Sequence, residues 1–343
     1  MKLTTLAKVA TDSSLPLLLS LARSFVTPLY RAGFLTGALN SGVLQHLSAT
    51  GMDLDTLADA LAITEDRHLL RAWLDLGVRL GELSIDTGTY RLKSRTAKAL
   101  ARPKNDSVAA ALEEVVRFHL PVLLNGPAML RHGDRLSMTD QDGTVIARSS
   151  RVVSAFVEEA IERVIDPAAA LRLLEIGCGS GEYIRHAATL NPRLTALAVD
   201  YQTEVAAEAA ANIARWGLSD RVEVRHADVR ELELEPQFDL IAMHNNIYYF
   251  PLEERTKLLE QARSLLAPGG RLLLTTSCRG GNLSMEVLNL WFEFADFGGP
   301  LPDAIELADG LRRAGFGTVD VRRLIPGEQF CAFVASSPRE HIA

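Results

Sequence analysis

Leu173-Leu174-Glu175-Ile176-Gly177-Cys178-Gly179-Ser180-Gly181 decides how this chain is read. An apolar run over 171–176 has the composition of a buried strand. It ends in three glycines at alternating positions. Glycines at such a strand end let the backbone turn sharply and let a ligand approach with no Cβ in the way. A dinucleotide loop would read G-x-G-x-x-G, with its third glycine at 182, where this chain has Glu182. A carboxylate opening the helix opposes a pyrophosphate, whose charge the helix N-terminus would otherwise favour. The loop therefore points to a nucleoside ligand that lacks a pyrophosphate.

Downstream, strand and helix alternate. Strands are expected over 171–176, 194–199, 222–225, 240–243 and 271–276, and near 318–322 and 330–335. Helices are expected over 181–189, 204–215, 252–266 and 304–314. Continuous apolar strands separated by amphipathic helices imply a mainly parallel sheet covered on both faces. The connection 324–328 is too short for a parallel crossover, so the last strand should enter antiparallel. The fold class is α/β, with a Rossmann-like, seven-stranded sheet over 167–343. Asp200 ends the second strand, 19 residues beyond Gly181, where an acidic side chain can accept both ribose hydroxyl protons. Asp228 follows the third strand, placed to accept from an adenine amino group while Val229 packs on the ring.

Upstream, apolar spacing gives helices over 34–47, 54–61 (capped by Asp53) and 65–80. A hairpin then turns at Asp86-Thr87-Gly88. That order matches a winged helix-turn-helix and defines a mostly helical N-terminal domain over 1–103. The stretch 104–166 reads as a helical linker and lid, with helices over 109–118 and 149–164 and a loop over 131–144. The apolar run 15–21 is too short to span a bilayer and is poorly built for a signal peptide. It is expected to be buried or to pack in a dimer.

Composition is that of a soluble globular protein, 48% hydrophobic and 23% charged. The net charge of -7 argues against a large nucleic-acid footprint. The helix over 65–80 balances Glu65, Asp66 and Asp75 against Arg67, Arg71 and Arg79, which also disfavours a DNA groove. Cys178, Cys278 and Cys331 are far apart and form no metal-ligand spacing, so no metal is expected and the thiols read as reduced and cytoplasmic.

The glycine loop, Asp200, the Ala227-Asp228 pair and the turn Leu266-Ala267-Pro268-Gly269-Gly270-Arg271-Leu272 resemble, in that order, the class I S-adenosylmethionine-dependent methyltransferases. The N-terminal part is similar to the dimerisation domain of small-molecule O-methyltransferases. The resemblance implies S-adenosyl-L-methionine as cofactor, with S-adenosyl-L-homocysteine as product, and a homodimer that takes a hydrophobic small-molecule acceptor. No nucleic acid and no stable membrane insertion are expected. It places the cofactor against Glu175, Gly177, Gly179, Gly181, Asp200, Tyr201, Asp228, Val229, His244 and Asn245. Family members that methylate phenols carry a histidine base just before the helix after strand four, and here Tyr249-Phe250 stand at that point.

An acceptor already ionised at neutral pH needs no base, so a carboxylate such as a fatty acid is the favoured substrate. Asn245, Asn246, Tyr248 and Tyr249 would orient it by hydrogen bonds, with Asn246 and Tyr249 at the reaction centre. C-, N- or phenol O-methylation, or a cofactor-binding DNA regulator, are the alternatives. The aromatic stretch 283–297 is expected to line an apolar acceptor pocket. A lid over 115–130 would face it, and Arg117 or His119 would hold the carboxylate.

Overall fold

The computed structural model describes Lys8 and residues 14–338. The chain divides into two compact units, 1–116 and 117–343, so the boundary falls within the helical stretch 104–166.

In the first unit, α1 (Ser14–Leu21) runs through a wide helical turn into α2 (Thr27–Asn40). There follow α3 (Val43–Ala49), β1 (Met52–Asp53), α4 (Leu54–Ala60), α5 (Arg67–Arg79), the hairpin β2 (Leu83–Asp86) and β3 (Thr89–Leu92), α6 (Arg95–Leu100) and α7 (Asp106–Glu114). The single helix expected over 34–47 is two helices. Apolar spacing continues across the break, but Gly42 sits at φ 79°, in the left-handed region that interrupts a helix. The hairpin forms as expected, and β1 adds to it in the order β1-β3-β2. Asp53 caps α4 by accepting from the Thr56 amide at 2.8 Å. Leu44, Leu57, Leu74 and Leu83 form the fully buried centre of this unit.

A wide helical turn, Val115–His119, crosses the boundary at 116 and leads into α8 (Leu120–His132). The expected helix over 109–118 therefore ends early, because Pro121 has no N–H to give an upstream carbonyl. Next come α9 (Gly143–Ser149) and α10 (Ser154–Glu162), separated by a tight turn where one helix was expected. The large sheet contains β4 (Leu171–Ile176), β5 (Leu194–Asp200), β6 (Val222–His226), β7 (Phe238–His244), β8 (Leu266–Ser277), β9 (Thr318–Arg323) and β10 (Phe330–Ser336). Their order is β6-β5-β4-β7-β8-β10-β9. Pairings from β6 to β8 are parallel, and β10 runs antiparallel to both β8 and β9, as the short 324–328 connection required.

The central strands are mostly apolar, whereas β6 and β9 at the edges carry exposed polar residues, and helices cover both faces of the sheet. These are α11 (Glu182–Leu190), α12 (Thr203–Arg215), α13 (Arg255–Ser264) and α15 (Ala304–Arg313), with α14 (Leu283–Glu293) after β8. The order of strands reverses between β4 and β7, and such a reversal opens a crevice at the carboxyl ends of the strands. No helix among the described residues is long and apolar enough to cross a membrane.

Gly77, inside α5, packs so closely that a Cβ there would meet Phe34 Cζ at 2.2 Å. Phe34 in turn stacks on Trp73 with centroids 4.3 Å apart. Helix propensity alone would make Gly77→Ala stabilising by about 1 kcal/mol. The displaced ring reverses that sign, and we expect a net loss of about 1–3 kcal/mol. Urea unfolding followed by tryptophan fluorescence measures it, and a more stable variant would refute this account of the packing.

Candidate active site

A cavity of about 450 Å³ lies at the carboxyl ends of β4, β5 and β7, a size typical of small-molecule sites. Its floor is the glycine loop. Gly177, Gly179 and Gly181 all take positive φ (68°, 54° and 80°), which an L side chain rarely adopts. At Gly177 a Cβ would also meet the Asn246 amide nitrogen at 2.5 Å. Gly181 caps the start of α11 and does not line the cavity, whereas Gly177 and Gly179 do.

The two expected acidic anchors line it as well. Asp200 accepts from the Gly179 amide at 3.0 Å and from the Gln202 amide at 3.1 Å, and so ties the loop to the end of β5. Burial pushes its carboxyl upward, partly offset by the Gln202, Gly179 and Tyr201 amides. Asp228 is clamped by Arg230, whose Nη2 lies 2.7 Å from its Oδ2, and Arg230 also reaches Glu254 at 2.9 Å. Burial pushes Asp228 up, but the Arg230 bonds and charge outweigh it and hold the carboxyl below its usual range. Tyr201, Val229, His244, Asn245, Asn246 and Tyr249 complete the expected residues that line the cavity.

Glu175, like Gly181, does not line the cavity. It is 1% exposed, lies under the loop, and has its pKa driven well up, first by burial and then by the charge of Asp200. Burial thus favours the neutral form of Glu175. Its Oε1 has no hydrogen-bond partner among the described residues, nor do His244 Nε2 and Asn246 Oδ1. His244 is buried, which lowers its pKa to about 3, so the ring is neutral. Its Nδ1 lies 2.8 Å from Thr275 Oγ1. Buried polar atoms left unpaired cost about 1–3 kcal/mol each. Three around one loop, with a cradle that a Cβ would fill, fit a polar ligand that completes them.

Asn245 holds a strained backbone at φ 53°, fixed by its amide donating to the Thr275 carbonyl at 2.7 Å. The Asn246 amide donates to the Ile176 carbonyl, so half of this side chain, expected at the reaction centre, serves the end of β4. The Tyr249 hydroxyl reaches Gln141 Oε1 at 3.5 Å.

At the other end, Tyr248, Tyr249, Phe250 and Phe297 form an aromatic wall. The stretch 283–297 contributes less than expected, since within it only Asp296 and Phe297 line the cavity. Trp291 and Phe292 are each 2% exposed and sit behind the wall, Phe292 against Tyr248 at 4.8 Å. The expected lid over 115–130 lines none of it. Its Gly126 faces Phe294, and Arg117 lies 3.5 Å from Asp142. The roof comes from 138–150 instead, through Met138, Gly143, Ile146, Ala147 and Ser150. That role escaped the sequence, although Gly143 gave a signal: a Cβ there would meet Gln202 Oε1 at 2.1 Å. Arg230 was also missed, two residues beyond the aspartate it clamps.

Residues 174–272 match the model of a methyltransferase domain family. The chain is 24% identical over 306 residues to demethylspheroidene O-methyltransferase of Rhodobacter capsulatus, covering 82% of this chain and 73% of that one. It is 34% identical over 131 residues to 27-O-demethylrifamycin SV methyltransferase of Amycolatopsis mediterranei, covering 35% and 46%. Among solved structures, that of PigF with SAH superposes with a TM-score of 0.72 at 19% identity, covering 91% of this chain and 97% of that one. The class is therefore a Rossmann-like methyltransferase. More particularly, the protein is an S-adenosylmethionine-dependent methyltransferase, with the cradle at Gly177–Gly181 in the matched domain.

Gly177→Ala should weaken S-adenosylhomocysteine binding by about tenfold or more, given roughly 1–2 kcal/mol for the left-handed backbone plus the contact with Asn246. Gly133, at φ 75° with open space around it, is the control. Calorimetric titration decides: equal losses at 133 and 177 would show that the cradle is not where the ligand binds.

Proposed function

We propose that the protein transfers a methyl group to an oxygen of a large, apolar small molecule of secondary metabolism. The observation that carries this reading is the two-ended cavity, polar and glycine-floored at one end and aromatic at Tyr248, Tyr249, Phe250 and Phe297 at the other. Bound at the polar end, S-adenosylmethionine supplies an electrophilic methyl on a sulfonium. In this reading Asp200 accepts the ribose hydroxyls with Tyr201 beside it, and Asp228 and Val229 meet the adenine. Gly177, Gly179, His244 and Asn245 hold the remainder, and Gly181 and Glu175 shape the loop from outside the cavity. Asn246 and Tyr249 orient the acceptor, and the aromatic wall excludes water, so positioning and desolvation supply most of the rate. The relatives named for O-methylation support an oxygen acceptor.

A hydroxyl is favoured over a carboxylate on charge. The basic residues that line the cavity are Arg230 and His244. Arg230 is tied to Asp228 and Glu254, and the burial of His244 keeps it neutral. Among the described residues that line the cavity, no further cation is left to receive an ionised acid at the aromatic end. A fatty or other carboxylic acid is the second reading, supported by Tyr249 standing where a histidine base was expected. Methyl-labelled cofactor offered with long-chain alcohols, phenols and fatty acids tests the pair. Label should appear in hydroxyl compounds, and Asp200→Ala should cut incorporation and cofactor affinity at least tenfold, the worth of roughly 1.5–3 kcal/mol for a charged hydrogen bond. Label confined to the acids would reverse the preference.

We also propose a cytoplasmic homodimer paired through the N-terminal helices. Leu17, Leu18, Phe25, Leu29 and Tyr30, on the continuous segment 14–40, are each at least 50% exposed. Such a face needs a partner, and a second copy supplies a matching one. Sedimentation should show a dimer that Leu18→Glu with Phe25→Glu converts to monomer. A wild-type monomer at micromolar concentration would end this proposal.

A further inference from the structure

Asp296 is the one acidic side chain lining the cavity that neither the cofactor reading nor the fold employs. It follows α14, and its backbone is held from both sides. Its amide donates to the Leu136 carbonyl at 2.8 Å, and the Leu136 amide donates to the Phe294 carbonyl at 2.8 Å. Phe297, next in sequence, packs on Tyr249 and Trp291 with centroids 6.0 and 5.9 Å apart. Gly298 then takes φ 69°, and a Cβ there would meet the Tyr248 carbonyl at 2.4 Å. The chain is thus fixed at the aromatic end with a carboxylate at its rim.

No ion pair to that carboxylate forms among the described residues. Arg255, behind the neighbouring loop, donates instead to the Phe250 and Pro300 carbonyls at 3.0 and 2.8 Å. Arg230 is held between Asp228 and Glu254. Asp296 therefore stands at the rim of the acceptor end with no ion-pair partner among the described residues.

We propose that Asp296 selects the charge of the acceptor, admitting neutral or cationic molecules and turning away anionic ones. This rests on the reading of the aromatic end as the acceptor site. Two unit charges about 6 Å apart at a wet rim interact by roughly 0.7–1.4 kcal/mol, which amounts to about a three- to tenfold effect on affinity. That is enough to discriminate between an alcohol and an acid of equal size, and too little to decide whether an apolar molecule binds at all.

The test uses the full chain saturated with S-adenosylhomocysteine and two fluorescent probes of similar shape, neutral N-phenyl-1-naphthylamine and anionic 1-anilinonaphthalene-8-sulfonate. Wild type should bind the neutral probe more tightly. Asp296→Asn should raise affinity for the anionic probe about three- to tenfold and leave the neutral probe unchanged. High salt should shrink the difference, and Asp296→Glu should restore the wild-type preference. If Asp296→Asn moves both probes equally, or moves neither, the charge proposal is overturned. Neutral-probe binding that Phe297→Ala does not weaken would overturn the acceptor reading itself, and the charge proposal with it.

Discussion

The whole arrangement depends on how the chain leaves β4. The Ile176 carbonyl at the end of that strand needs a donor, and the Asn246 amide supplies it from the end of β7. That bond bridges the two strands between which the sheet order reverses, and it closes the crevice from beneath. It also leaves no room for a side chain at Gly177, which accounts for the glycine as directly as its positive φ does. Asp200 completes the cradle by receiving the Gly179 amide. Three strand ends are thus tied to one loop by side-chain bonds to the backbone.

Much of this was legible because its signals are local. A buried strand running into alternating glycines specifies a turn that only a few backbones can make. Acids at the ends of the next two strands follow from the same period, and Glu182 removes the dinucleotide alternative. The antiparallel last strand followed from a short connection, an argument about chain reach alone. What failed was non-local. Leu39 and Val43 keep helical spacing across Gly42, so periodicity could not see the break between α2 and α3. Trp291 and Phe292 read as ligand-facing because α14 is apolar around much of its circumference. In the fold, Tyr248 and Tyr249 take the cavity surface and leave Phe292 behind them. Which of two aromatic layers faces a ligand is decided by a turn elsewhere in the chain.

The roof shows the same limit from another side. Residues 138–150 look like loop and helix start in sequence, with Asp142 capping α9 through the Thr144 and Val145 amides. Only the contact of Gly143 with Gln202, next to Tyr201 at the end of β5, makes that cap part of the site. A capping aspartate is needed by any helix. Its placement over a glycine floor gives this one a second consequence, because the roof and the Asp200 anchor then meet through Gln202.

Charge divides the cavity more sharply than shape does. At the polar end the ionisable groups are answered: Asp228 by Arg230 and Asp200 by three backbone amides, while burial keeps His244 neutral and favours the neutral form of Glu175. That end can receive a ligand carrying its own charges without leaving one of the protein's unpaired. At the aromatic end the polar groups are hydroxyls and one unanswered carboxylate. An anionic acceptor would bring a second negative charge to a place that already holds one. A neutral hydroxyl brings no charge to such a site. The missing histidine, which from sequence alone pointed to an acid, therefore does not by itself exclude an alcohol, because the charge at the aromatic end weighs the other way.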